Sequence, residues 1–168
     1  MTTRIAHDEV TLEIDAAPAE VYGLISDITR MGEWSPECIR CRWVKGSTGP
    51  AVGARFRATN KGGRGPAWFN TPVVTVAETG REFAFHRSGP GIGSYTWRYV
   101  LDPTATGTRV TESFDAERPL GSLMSWITEK WTGSDDRDAD LRRGMTTTLA
   151  RLKAAAESAS TRTEDIAR

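Results

Sequence analysis

Glu112 is the titratable residue whose neighbours give it the clearest route to chemistry. Val110, Glu112 and Phe114 alternate with Arg109, Thr111 and Ser113. A strand here puts the carboxyl on the same face as two apolar side chains. A carboxylate on a buried face must pair, hydrogen-bond or hold its proton at a raised pKa. A carboxyl that titrates near neutrality can act as a general acid or base. Tyr95, Trp97 and Tyr99 share one face of the preceding strand, and the two phenols can orient the polar end of a ligand or pass a proton. The competing readings are an ion pair between Glu112 and Arg98, or another cation of the neighbouring strand, and an exposed position on a convex face.

Other motifs carry weaker chemistry. Cys38-Ile39-Arg40-Cys41 spells C-x-x-C, a zinc or redox pattern. On a regular strand, residues three apart point to opposite faces, so the two sulfurs are not expected to meet. Only His7 and His86 are available to complete a metal site, so no metal is expected. Lys61-Gly62-Gly63-Arg64-Gly65-Pro66 is Gly-rich and basic but lacks the Gly-Lys-Ser/Thr ending of a phosphate loop before a helix. It reads as an inter-strand loop, with Arg64 or Trp68 placed to touch a ligand. His86 should face away from Phe83 and Phe85, and no Ser–His–Asp set is legible by spacing.

The aromatic residues are the stronger binding signal. Six tryptophans in 168 residues is a high count. Trp43, Phe56, Phe85, Tyr95, Trp97 and Tyr99 fall where an inward face is expected, as core or as the lining of a cavity. The segment Leu120–Trp131 has apolar residues at 120, 123, 124, 127 and 131, and it reads as a lid, a dimer or protein contact, a weak membrane-surface element, or part of the core.

These residues need elements to hold them. Val10, Leu12 and Ile14 alternate in a first strand. Pro18 opens a helix whose apolar face is Val21, Leu24, Ile25 and Ile28. A second short helical turn holds Met31 and Trp34 and ends at Pro36. Six further strands follow, over residues 39–44, 55–58, 73–78, 82–87, 95–101 and 108–115; short turns between them favour antiparallel pairing. Leu141, Met145, Leu149, Leu152 and Ala156 form the stripe of a long last helix over residues 134–157, with Ser134 as its expected N-cap. Residues 1–157 read as one domain, and 158–168 as a frayed polar tail.

Lys plus Arg and Asp plus Glu are both 22, for a formal net charge of zero, which argues against nucleic acid as the main partner. No apolar run approaches the roughly 18 residues that span a bilayer. The N-terminus has no apolar signal core, and two cysteines cannot form a disulfide framework. A cytoplasmic location is the expectation.

The order strand, helix, helix, six strands, long helix resembles the helix-grip superfamily, which includes START domains, the birch-pollen-allergen group and polyketide cyclase/dehydrase-like proteins. Ala17-Pro18-Ala19-Glu20-Val21-Tyr22, Asp27-Ile28 with Trp34-Ser35-Pro36, Gly107 to Glu112 and Gly144 to Lys153 carry the resemblance, and the bacterial polyketide cyclase/dehydrase-like branch is the nearest in kind. The resemblance implies an α+β fold, a seven-stranded curved antiparallel sheet wrapped around the last helix, with a cavity between them. It implies a hydrophobic small-molecule ligand, lipid or polyketide-like; the residues expected to touch it, from their own positions, are Trp43, Phe56, Trp68, Phe85, Tyr95, Trp97, Tyr99, Glu112 and Met145. No cofactor is expected. The alternatives are a cyclase or dehydratase that uses Glu112 with Tyr95 or Tyr99, and an interaction module using Leu120–Trp131.

Overall fold

The computed structural model describes residues 6–62, 65–89, 93–118 and 136–166. Eight strands form one antiparallel sheet: β1 (His7–Ile14), β2 (Cys38–Val44), β3 (Arg55–Asn60), β4 (Trp68–Asn70), β5 (Val73–Glu78), β6 (Glu82–Gly89), β7 (Gly93–Pro103) and β8 (Thr108–Arg118). Their order is β1-β8-β7-β6-β5-β3-β2, with the short β4 added beside β3. The sequence expectation of seven strands therefore gains one, where Trp68 and Phe69 leave the Gly-rich loop. Arg64, in that loop, and the whole Leu120–Trp131 segment lie outside the described residues.

Between β1 and β2 the chain forms α1 (Pro18–Ser26), a single 3₁₀ turn (Ile28–Arg30) and α2 (Met31–Trp34). Pro18 occupies the first turn of α1, where an amide hydrogen is not needed. Glu20 reaches back to accept a hydrogen bond from the Ala17 amide at 3.3 Å. Val21, Ile25 and Ile28 are buried, as their spacing predicts.

The last helix, α3 (Arg137–Ile166), runs past Glu157, where the sequence pattern places its end. The expected cap, Ser134, lies outside the described residues; Asp136 serves instead, its Oδ1 accepting from the Ala139 amide at 3.0 Å. Met145, Leu149, Leu152 and Ala156 are buried. The helix is tied along edge strand β1 by polar contacts at three levels. Arg142 pairs with Asp8, Lys153 Nζ donates to the Glu13 carbonyl at 2.8 Å, and the Asp15 amide donates to Glu157 at 3.0 Å. These bonds fix which side chains of α3 look down on the sheet.

The core lies between α3, α1 and the inner face of the sheet. Cross-strand register aligns inner-face residues in rungs. Val10, Glu112, Tyr99 and Phe83 form one rung across four strands; Phe114, Trp97, Phe85 and Val74 form the next. An edge-on aromatic contact joins Phe56 to Phe85 at 5.2 Å, while Tyr95 stacks on Phe114 at 5.8 Å. Such pairs add to the burial energy of the rings themselves.

Candidate functional site

Glu112 sits on the inner face midway along β8, one strand in from the sheet edge, directly opposite Tyr99 on β7. It is 3% exposed. Tyr99 Oη donates to Glu112 Oε1 at 2.9 Å. The second oxygen, Oε2, is buried with no hydrogen-bond partner among the described residues. Burial pushes the Glu112 carboxyl up to about 8, with the Tyr99 bond pulling the other way. Near neutrality the group is therefore mostly a neutral acid. With Oε1 accepting from Tyr99, the proton belongs on Oε2, the oxygen without a protein partner. Burial, and then the neighbouring carboxylate, raise the Tyr99 phenol well above its usual range, so Tyr99 stays a donor.

Arg98, the cation that the sequence offers as a partner for Glu112, is on the outer face. It pairs there with Glu82 at 2.6 Å. The structure thus separates two readings that the sequence leaves open: Glu112 is buried, and Arg98 is not its partner.

The remaining predicted residues fall into two inner-face groups. Phe56, Phe85 and Tyr99 belong to the main core with Phe83 and Leu149, and the partly buried Trp43 packs against it. Tyr95 and Met145 form a second cluster with Phe114. Trp97 is partly buried and packs against both clusters. Trp68 pairs with Asn60, at the far end of the sheet from Glu112's strand. Two concavities formed by described residues contain none of this set. One of about 470 Å³ lies in the Lys45–Ala54 loop region. The other, of about 330 Å³, is bounded by Arg40, Arg42, Arg57 and Thr59 on the outer face.

His86 faces outward, as predicted, but into a polar network that sequence spacing did not reveal. Its Nδ1 lies 3.0 Å from Thr96 Oγ1 and its Nε2 lies 3.3 Å from Ser94 Oγ. Both hydroxyls donate to Glu117, at 2.9 and 3.1 Å. Those bonds hold the exposed Glu117 carboxyl below its ordinary range. Thr96 is the cross-strand partner of His86, so pairing of β6 with β7, not sequence proximity, builds the network.

The expectation that Cys38 and Cys41 point apart is overturned. Both are buried and their sulfurs are 3.2 Å apart. A bulge in β2 is the reason: the register slips by one residue between Cys38 and Arg40. Ile39 is the residue the bulge turns out, at 54% exposure. Among the described residues no group of three or more His, Cys, Asp or Glu side chains is placed to hold a metal ion. No helix in the described residues is long and apolar enough to cross a membrane.

With this architecture in view, comparison with known proteins identifies the class. The family model described as polyketide cyclase/dehydrase and lipid transport matches residues 6–157. The chain belongs to that family, with a helix-grip fold. Among solved structures, the di-domain ARO/CYC StfQ from the steffimycin biosynthetic pathway superposes with a TM-score of 0.72 at 18% identity. That match covers 93% of this chain and 52% of StfQ, so this chain spans about half of its length. A polyketide-cyclase-like protein from Corynebacterium glutamicum is 29% identical, covering 89% of this chain and 91% of that one, with a TM-score of 0.53. A protein from Nitrosomonas europaea matches at 14% identity and a TM-score of 0.67, covering 93% and 97%. A search of the curated proteins finds no match.

Proposed function

We propose that this protein binds a medium-sized hydrophobic molecule bearing a carbonyl or hydroxyl oxygen, polyketide-like in character, between the inner face of the sheet and α3. The observation that carries the reading is Glu112 Oε2, a buried acid oxygen without a protein partner among the described residues. Leaving such an atom unsatisfied costs about 1–3 kcal/mol, and a ligand oxygen that accepts its proton removes that cost. The surrounding Phe, Trp and Tyr rings supply apolar surface, at roughly 25 cal/mol per Å² buried before losses. Family membership and the StfQ resemblance support the chemical class of the ligand.

A second reading is favoured by the same pair. A carboxyl titrating at about 8 suits general-acid catalysis at neutral pH. Glu112 would donate its Oε2 proton to a ketone oxygen as a carbon–carbon bond forms or water is lost, while Tyr99 holds Oε1 in place. In this reading the protein is a cyclase or dehydratase, and Glu112→Gln abolishes turnover while leaving binding of product largely intact.

The binding reading is tested by fluorescence titration with 1,8-dihydroxyanthraquinone as probe. Removing the Tyr99 hydroxyl (Tyr99→Phe) frees Glu112 to rotate away and should weaken binding by roughly 5- to 10-fold, the worth of about one hydrogen bond. Trp97→Ala should weaken it by at least about 10-fold through lost ring contact. Thr96→Ala, on the outer face, should leave affinity unchanged. Equal affinity in all three variants would remove Tyr99 and Trp97 from the site.

A further inference from the structure

The bulge in β2 changes what the Cys-x-x-Cys segment can do. Cys38 pairs with Asn60 and Arg40 with Thr59, leaving Ile39 as the extra residue. Beyond the bulge Cys41 faces Ala58. Asn60 and Ala58 are both buried on one face of β3. A spacing of three residues, which on a regular strand separates two side chains, therefore puts both thiols on the same face. They are 5% and 4% exposed.

The bulge is braced from α2. A Cβ on Gly32 would lie 2.9 Å from the Ile39 carbonyl oxygen and 3.3 Å from that of Cys38. Only a residue without a side chain allows this approach. Ser35 Oγ accepts from the amides of Glu37 and Cys38, at 3.3 and 3.1 Å. A third sulfur, Met31 Sδ, lies 4.0 Å from Cys41 Sγ. The two thiols are thus held together by backbone geometry.

We propose that Cys38 and Cys41 form a reversible dithiol–disulfide site, oxidised by a hydroperoxide and reduced by a small thiol. The sulfurs are 3.2 Å apart, and closing to a bond of about 2.05 Å needs side-chain movement of about 1 Å. The two cysteines have different roles. The hydrogen bond from Cys41 holds the Cys38 thiol below its usual range, while that bond and burial push Cys41 up. The Arg40 amide also hydrogen-bonds the Cys38 sulfur and favours its thiolate, which makes Cys38 the attacking thiolate and Cys41 the resolving thiol.

The electrons balance in two steps. The Cys38 thiolate attacks one peroxide oxygen, the O–O bond breaks, hydroxide leaves and Cys38 becomes a sulfenic acid. The Cys41 sulfur then attacks the Cys38 sulfur. The S–S bond forms, the S–O bond breaks, and the departing hydroxide takes the Cys41 proton as water. Two thiols lose two electrons and two protons, and hydrogen peroxide becomes two waters. A small thiol reverses the change through a mixed disulfide. The thiols share the main core with Tyr99 and Phe56, but their chemistry requires no bound ligand.

The test uses the reduced full-length protein, treated with hydrogen peroxide and then unfolded in the presence of N-ethylmaleimide. The expected product has lost about 2 Da, takes up no maleimide and regains both thiols with dithiothreitol. Trypsin cleaves after Arg40, so the disulfide should appear as two joined peptides. In Cys41→Ser the Cys38 sulfenic acid should be captured by dimedone, whereas Cys38→Ser should stay unreacted under the same exposure. Two maleimide-reactive thiols after peroxide, or oxygen added to each cysteine with no joined peptide, would overturn the proposal. Equal dimedone capture in the two variants would overturn the assignment of roles.

Discussion

Replacing Glu112 by Gln is expected to destabilise the protein slightly in acid and to stabilise it above pH 8. The folded-state carboxyl titrates at about 8 and the free one at 4.5. The folded protein therefore binds more protons than the unfolded chain between those values, and stability falls as pH rises through that window. Below about pH 4.5 the acid is neutral in both states and costs nothing extra. Above about pH 8 the folded state carries a buried carboxylate. At about 1.4 kcal/mol per pH unit, the full loss approaches about 5 kcal/mol. The Gln amide cannot ionise, so this loss disappears. Its NH₂ group lacks a partner at every pH, but so does the wild-type Oε2 hydroxyl below pH 8, so the difference in acid is only the second N–H, about 1 kcal/mol or less. Urea melts of both proteins at pH 5, 7 and 9 should give a stability difference that moves steadily in favour of the variant and levels off above pH 8. Parallel stability curves would mean that Glu112 is ionised and solvated in the folded protein.

Gly107→Ala should be among the most disruptive single substitutions in the fold. An added Cβ would fall 2.1 Å from the Ile14 carbonyl oxygen, and 2.9 Å from both the Ala16 nitrogen and the Asp15 Cα. All three are backbone atoms, so no rotamer change relieves the contact. This is the seam where β1 ends against β8: Ile14 pairs with Thr108, and Thr108 Oγ1 donates to the Ala16 carbonyl at 2.7 Å. Opening the seam loses that buried bond as well. The expected cost is about 3 kcal/mol, the upper part of the usual overpacking range, or more. Gly23→Ala is the control, since nothing lies within 4 Å of its added Cβ in α1; it should stabilise by roughly 0.5–1 kcal/mol. Thermal melts of the two variants decide the matter, and a neutral Gly107→Ala would mean that the seam is looser than its geometry.

The inner-face residues were legible in the sequence because strict alternation survives from Tyr95 to Pro103 in β7 and from Thr108 to Ala116 in β8. Tyr95, Trp97 and Tyr99 share one face, as do Val110, Glu112 and Phe114, and no bulge separates Tyr99 from its partner Glu112. That pairing could not be read from either strand alone, since register depends on both. Alternation failed at Cys38–Arg40, where an extra residue reverses the faces before and after it. The signal available was a tension in the pattern: an apolar Ile39 beside a cysteine pair at odd spacing. The His86–Ser94–Thr96–Glu117 network was hidden for a different reason. Its members are separated along the chain and meet only when β6, β7 and β8 pair. The end of α3 was placed too early because Ser158 and its neighbours lower helix propensity, while the helix continues to Ile166.

Native mass spectrometry of the freshly purified protein, followed by organic extraction of whatever it carries, tests ligand binding most directly. The expected result is a one-to-one complex with an oxygen-bearing hydrophobic molecule, with Glu112→Leu, which removes the donor, carrying less of it than the wild type. A bare protein mass, unchanged after incubation with hydroxyanthraquinone and fatty-acid probes, would contradict a ligand-binding interior.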